Sequence, residues 1–341
     1  EREGLLQGQT PGIQYCNVVE AGDYKNGFTF TLDAPLIPAA RSVFSVLSNI
    51  KRGQQGNPTE YLDEEVVANN PYYQFFRLCL DADEDMIKKS GLVNENDPLY
   101  DVSTQQGRDR LNRAINKYRT FLDNNAIDQN VQFFNNYRYT VFAPSNEAVL
   151  KAIEDGLPTW ESIQEDFDQC DKNNEGNLAN SADSLRLQAK ILYLTNFIRT
   201  HFADNTVFAD KSETGTNGSP VEMVTSSYDN DKGVFIKAYV QRVKNGSETT
   251  LQVRDNFSTD QWRSASNDER YKNIMTCDRE CSAKVKDATS LNGITTDASS
   301  YAVIHLIDGV LNHLQLGEDG KYPTFTDSKA ARTYIKKFAI R

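Results

Sequence analysis

The sequence is poor in the residues that metal sites, disulfide scaffolds and membrane spans require. It has three histidines, five cysteines, three methionines and two tryptophans in 341 residues. Five cysteines are too few for a disulfide scaffold, and an odd number leaves at least one thiol unpaired. No run approaches the roughly 18 consecutive apolar residues of a transmembrane helix. These shortages argue against a disulfide-stapled miniprotein and against a transmembrane segment in this chain.

One pair of cysteines is close in sequence, Cys277 and Cys281. The pair allows either a local disulfide within a loop or two separate thiols, and the sequence does not decide between them. A zinc site ranks last, because no second Cys or His pair stands at ligand spacing. We therefore expect no metal and no cofactor.

The charge balance is acidic, with 37 Lys and Arg against 48 Asp and Glu and a formal net charge of −11. Such a surface disfavours nucleic acid and anionic membranes as partners. The length is enough for about two domains of roughly 150 residues and for a substantial hydrophobic core.

The central stretch of the chain runs from Tyr139 to Val149 and predicts a buried strand that turns directly into a helix. Pro144 has no backbone N–H and therefore ends the strand. Ser145 is a favourable N-cap, and Glu147 places negative charge in the first helical turn.

A second stretch, Tyr301 to Leu311, is an apolar strand followed by the turn dipeptide Asp308-Gly309. The two stretches together resemble the paired motifs of the fasciclin domain, an extracellular adhesion module. The residues that match the first motif are Ala143, Pro144, Ser145, Asn146 and Ala148. The residues that match the second are Val303, Ile304, His305, Ile307, Asp308, Gly309, Val310 and Leu311. Finding both in this order is fairly specific.

The resemblance implies an α+β fold, a fasciclin-like β-sandwich or wedge with helices packed at one side. The domain would cover residues 67–315. Relative to the family it would carry three insertions, at 89–137, 168–183 and 258–298. Alternating strands separated by Gly and Asn turns between residues 206 and 257 agree with a β-meander.

The flanking segments have separate interpretations. Residues 1–50 are either the C-terminal part of a preceding fasciclin-like domain or an N-terminal decoration of the main domain. Residues 51–66 are rich in Gly, Gln and Asn and predict a linker. Residues 316–341 form a tail with a basic helix whose apolar side docks on the body.

The resemblance also suggests where a partner would bind. Thr200, His201 and Phe202 align with a Tyr-His segment that is tied to receptor binding in some family members, although Thr200 replaces the usual Tyr. His201 looks like the more exposed of the candidate histidines. Pro144, Ser145, Asn146, His305, Asp308 and Gly309 are expected to be structural motif residues.

No catalytic signature stands out in the sequence. The chain has no Gly-x-Ser-x-Gly elbow and no catalytic-cysteine signature. His305 is either a site histidine or, as we favour, a core histidine held by a carboxylate or a backbone carbonyl. Two acidic runs, Asp81 to Asp85 and Asp171 to Glu175, lack the complete ligand pattern of a calcium loop and predict solvated loops. We expect no catalytic residues.

The function implied is a non-catalytic adhesion module, extracellular or on a cell surface, including a bacterial outer membrane or periplasm, that binds a protein or glycan. The alternative is a carbohydrate-binding accessory protein at a bacterial surface, motivated by the long insertions. Exposed Trp160 and Trp262 around one cleft would favour that alternative. Three Asn-x-Ser sequons, at Asn217, Asn245 and Asn256, would matter only in a source that glycosylates.

Overall fold

The computed structural model combines helices and strands in an α+β fold, as the sequence predicts. The residues that it describes are 18–33, 43–49, 62–80, 83–121, 131, 133, 139–207, 215–216, 219–245, 248–257, 272–273, 297–298 and 302–340. Cys277 and Cys281, Trp262 and most of the insertion at 258–298 lie outside these residues.

The described strands form two sheets. A two-stranded hairpin contains β1 and β2, and nine strands form the main sheet in the order β10-β11-β3-β4-β6-β5-β7-β8-β9. The strands are β1 Val18–Tyr24, β2 Gly27–Leu32, β3 Tyr139–Pro144, β4 Phe202–Asp204, β5 Gly215–Thr216, β6 Ser219–Asp229, β7 Val234–Asn245, β8 Glu248–Arg254, β9 Lys272–Asn273, β10 Asp297–Ala298 and β11 Ala302–Ile307. Strands β6, β7 and β8 pair antiparallel in sequence order, which is the predicted meander.

Helices cover one part of this sheet. They are α1 Val43–Leu47, α2 Glu64–Ala68, α3 Tyr73–Cys79, α4 Glu84–Lys89, α5 Gln105–Asn116, α6 Asn146–Glu154, α7 Trp160–Asn173, α8 Ala182–Thr200 and α9 Ser328–Phe338. Helix α8 is the central one, because twelve of its 19 residues are buried and it contacts α3, α7, α9 and the sheet. Helix α9 packs on α8, and its buried residues are Ala331, Tyr334 and Phe338.

The described residues at the end of the 1–50 segment belong to the main body. Phe44 of α1 packs edge-on against Phe76 and Phe121, with ring centroids 5.2 Å apart in both pairs. Val43, Val46 and Leu47 are buried in the same core. Residues 43–49 are therefore part of the main core. The β1–β2 hairpin forms its own sheet.

Two predicted loop segments contain helix. Helix α2 begins at Glu64, inside the expected linker 51–66, with Glu64 and Glu65 in its acidic first turn. Helix α7 continues to Asn173, inside the expected insertion 168–183, because Phe167 and Cys170 extend its buried stripe. Both segments were predicted as loops because they are rich in polar residues. A helix on the protein surface has such residues on its outer face, so polar composition does not distinguish it from a loop.

Among the helices of the described residues, none combines the length and apolar character needed to cross a membrane.

Candidate functional site

The two motif stretches meet in space as neighbouring parallel strands. Strands β3 and β11 pair in register, with His305 opposite Phe142 and Ile307 opposite the buried Pro144. One residue further on, the Ser145 N–H donates to the Ile307 carbonyl oxygen at 2.9 Å. Two segments more than 150 residues apart thus form one structural unit, here called the motif join, which comprises 139–149 and 302–311.

Polar side chains at the start of α6 lock the motif join to the helical layer. The Ser145 hydroxyl accepts from the Ala148 N–H at 3.2 Å, which is the predicted N-cap. The Asn146 side chain donates to the Asn70 carbonyl at 2.8 Å and accepts from the Gln74 N–H at 2.9 Å. Asn146 therefore joins the central turn to the start of α3.

His305 is a core histidine, as favoured from the sequence. It is fully buried, and its Nε2–H donates to the Val207 carbonyl at 2.8 Å. Its ring stacks on Phe142 at a centroid distance of 6.0 Å. Burial lowers the pKa of His305 to about 4, despite the opposing hydrogen bond to Val207. The ring is therefore neutral near pH 7 and acts as a structural group.

The expectation that His201 is the more exposed histidine is wrong. His201 is fully buried at the end of α8, its Nδ1–H donates to the Phe197 carbonyl at 2.9 Å, and its Nε2 accepts from the Leu311 N–H at 3.0 Å. Burial lowers its pKa to about 3. Hydrogen bonds to both ring nitrogens replace the water that an exposed imidazole would bind.

Thr200 and Phe202 are buried on either side of His201. The Thr200 hydroxyl donates to the Asn196 carbonyl at 2.7 Å, and the Phe202 ring packs edge-on against Phe133 at 5.1 Å. The three residues that align with the receptor-binding segment are therefore packed inside the protein. In this arrangement they stabilise the core and present no surface to a partner.

The third histidine, His313, is also buried. Its Nε2 lies 2.7 Å from the Tyr334 hydroxyl, which ties the segment after the motif join to α9. Its Nδ1 has no hydrogen-bond partner among the described residues. Burial lowers the pKa of His313 to about 3, with smaller contributions from His201 and Lys337.

Asp308 and Gly309 line a surface cleft of about 510 Å³ beside α6. The charged groups of this motif cleft are paired within the protein. Asp155 accepts from Lys151 at 3.3 Å and from Lys321 at 2.7 Å. Hydrogen bonding to Lys321 is the main cause that lowers the Asp155 pKa. The Asp255 carboxylate, also in the lining, accepts the Asn312 N–H at 2.8 Å.

A second cleft, of about 470 Å³, opens where the end of α8 meets β6, and we call it the Arg199 cleft. Of the twelve described residues in its lining, seven are apolar or aromatic, Arg199 is the basic one and Asp204 the acidic one. Apolar lining residues on the neighbouring strands β6 and β7 reach the surface, since Val224 is 41% and Phe235 48% exposed. A concave, mainly apolar site with a few charged or polar groups is the usual composition of a small-molecule site.

A β-bulge shapes this cleft. Between β6 and β7, Val224 pairs with Lys237 and Tyr228 pairs with Phe235, so three residues of β6 stand opposite one of β7. The bulge frees the Ser226 carbonyl to accept from Arg199 Nε at 3.0 Å, and the Ser226 hydroxyl donates to the Arg199 carbonyl at 2.7 Å. Such bulges re-aim groups at functional sites.

The Arg199 guanidinium lies over the Phe133 ring, 4.5 Å from its centroid. Within the part of the chain that the structure describes, it forms no ion pair, and its hydrogen bond to Ser226 is the only one it donates. Burial without a compensating carboxylate lowers the Arg199 pKa to about 10. Sequence reasoning singled out the next three residues and missed this one, because a single Arg at a helix end is an ordinary signal.

An exposed apolar surface lies on the β1–β2 hairpin. Phe28 is 70%, Val19 62% and Phe30 60% exposed, and Tyr24 and Val18 are also exposed. In the hairpin register Phe28 and Phe30 lie on one face, and Tyr24, opposite Gly27, lies on the other. Exposed aromatic side chains of this kind are a candidate binding surface.

The remaining sequence candidates have structural roles or lie outside the described residues. Asp83 caps α4 by accepting the Asp85 and Met86 N–H groups, so the first acidic run is in part a helix start. Asp171, in the second run, lies at the end of α7, 3.5 Å from Lys89 Nζ. Trp160 is half-buried and donates to the Leu78 carbonyl at 2.8 Å, which leaves it poorly placed as a sugar platform. Of the sequons, Asn256 is exposed.

Comparison with known proteins identifies no family for this chain. No protein-family model matches the chain, and no curated protein matches it. One solved structure to which the chain is similar is a FAS1 domain pair from the insect cell adhesion molecule fasciclin I, with 17% identity and a TM-score of 0.28. The similarity covers 59% of this chain and 45% of that one, so the chain spans less than half of that structure's length. A TM-score this low carries no argument about fold or function.

Proposed function

We propose that this chain is a non-catalytic adhesion module of the fasciclin type that acts outside the cell or on its surface. The observation that carries the proposal is the motif join, in which the two fasciclin-like motifs pair in register as parallel strands. The residues that the resemblance marks as structural, including Asn146 and His305, form cross-links between distant segments. A chance resemblance would not require the two stretches to meet.

The state of the histidines supports a non-catalytic role. A general acid or base needs a pKa near the working pH and access to substrate. All three histidines are buried, with pKa values lowered to about 3 or 4. The groups that hydrolases most often use for proton transfer are therefore committed to the core.

A protein is the favoured partner. The β1–β2 hairpin exposes aliphatic side chains beside aromatic ones, and a mixed apolar surface of this kind suits a protein interface. A glycan-binding surface instead needs aromatic rings with polar neighbours around a cleft. Trp160, one of the two residues that could have favoured that alternative, donates its indole N–H inside the protein.

The test is a binding screen of the folded protein on immobilised matrix and cell-surface proteins beside a glycan array. We expect a protein partner whose affinity falls about tenfold or more in the double variant Phe28→Ser, Phe30→Ser, since central aromatic residues dominate interfaces. Leu99→Ser, which removes an equally exposed side chain outside the hairpin, is the matched control. Binding to glycans alone, or a protein partner indifferent to the hairpin variant, would contradict the proposal.

A further inference from the structure

We propose that the Arg199 cleft binds a small organic acid, whose carboxylate pairs with the Arg199 guanidinium and whose hydrocarbon part lies on the apolar lining. The cleft volume of about 470 Å³ falls within the usual range for small-molecule sites. This inference does not depend on the proposed adhesive function.

Arg199 lacks a counter-charge among the described residues. It is half-buried, and partial desolvation of a guanidinium without a counter-charge is unfavourable. Arg186, which is also half-buried, contacts Asp166 at 3.0 Å and Asp183 at 3.1 Å. Among the described residues Arg199 has only the Ser226 carbonyl as a hydrogen-bond acceptor. A bound carboxylate would supply the missing charge and accept from the Nη atoms in the two-pronged geometry that arginine favours.

Neighbouring groups already hold the Arg199 guanidinium in position. Phe133 supports its face, the Ser226 carbonyl holds Nε, and the Ser226 hydroxyl bonds the Arg199 backbone. A ligand therefore meets a group whose freedom is already reduced, which lowers the entropic cost of binding.

The apolar lining of the cleft would contact the hydrocarbon part of the ligand. Val224 and Phe235 expose apolar surface on neighbouring strands of the rim, and Phe338 and Ile340 line the side next to α9. A ligand with a carboxylate but no hydrocarbon part would leave this apolar surface exposed to water. Asp204 is the acidic residue of the lining, and its charge disfavours ligands that carry more than one carboxylate.

The experiment titrates the folded protein with 2-naphthoate and with 2-naphthamide, which has nearly the same shape and no charge. We expect saturable binding of the acid and at least about tenfold weaker binding of the amide, because hydrogen bonds to charged groups are the strong ones. Acetate, which lacks the hydrocarbon part, should compete only weakly. Arg199→Met should lose the preference for the acid.

A second pair of variants keeps the test decisive if Arg199→Met does not fold. Val224 is exposed on the rim, so Val224→Glu and Val224→Gln should fold alike and differ only in charge. We expect naphthoate to bind the Glu variant severalfold more weakly than the Gln variant, and the difference to shrink in high salt. No saturable binding up to about 10 mM naphthoate, equal binding of acid and amide, or equal affinity of the two rim variants would each overturn the proposal.

Discussion

The motif join and the Arg199 cleft differ in how completely their partly or fully buried polar groups are hydrogen-bonded. At the motif join, Asn146 has a partner for both ends of its amide, and His201, which binds the Leu311 N–H of the join, has a partner for both ring nitrogens. In the Arg199 cleft a charged group is held in position with a single carbonyl acceptor among the described residues. Satisfied polar groups specify the fold, whereas an incompletely satisfied one points to a ligand.

The largest effect that would test this contrast is a fall in stability on acidification. The folded pKa values of about 3 for His201, 4 for His305 and 3 for His313 lie below the unfolded value near 6.5. Between these values the unfolded state binds more protons, so stability falls with falling pH, by up to about 1.4 kcal/mol per pH unit for each histidine. Urea denaturation at pH 7, 6 and 5 measures this fall in the free energy of unfolding.

Between pH 7 and 5 the protonation of the histidines is separated from the titration of the carboxylates. Asp166, whose carboxylate is hydrogen-bonded by Arg186 and Lys190, has a lowered pKa, so its contribution is lost only at pH values below the unfolded carboxylate range. Stability should be nearly flat between pH 7 and 8. Equal free energies of unfolding at pH 7 and 5 would show that the histidines are not buried as neutral groups.

The next effect is the loss of a core histidine. His305→Ala removes the hydrogen bond to Val207 and the stacking on Phe142, and it leaves a cavity. We expect it to lower the free energy of unfolding by about 3 kcal/mol without a specific binding defect in the folded protein. Glu318→Ala at an exposed position is the control. Unchanged stability in the His305 variant would remove His305 from the set of structural residues.

A smaller loss is expected at Asn146. Asn146→Ala breaks the two hydrogen bonds that join α6 to Asn70 and Gln74, and we expect a cost of about 2 kcal/mol. Asn69→Ala is a matched control, since its side chain bonds only the local Glu65 carbonyl at an exposed helix end. Equal denaturant midpoints for the two variants would mean that the link to α3 adds nothing.

The smallest effect on stability is expected in the Arg199 cleft. Arg199→Met loses one hydrogen bond but also removes a poorly compensated, half-buried charge, so we expect a change in the free energy of unfolding within about 1 kcal/mol. Arg186→Met, which deprives Asp166 and Asp183 of their partner, should cost more. If thermal unfolding ranks the two arginines the other way, Arg199 is a structural residue and the contrast between the two regions fails.

Local chemistry in the sequence determined a good part of this structure. Pro144 and Ser145 predicted the end of β3 and the start of α6, because a missing N–H and a capping hydroxyl act within a few residues. The apolar side expected of the basic tail helix is present in α9, where Tyr334 and Phe338 are buried. The α+β class was implied by the resemblance of the two motifs, and the structure has it.

Only the tertiary structure decided which groups are buried and which are left without partners. His201 looked exposed because a helix end usually meets water, but the Leu311 N–H, 110 residues away, occupies its ring nitrogen. Arg199 looked ordinary, and its cleft exists because a bulge in β6, Phe133 and the end of α9 converge on it. Hydrogen bonding and desolvation depend on neighbours distant in sequence, so a local pattern cannot report them.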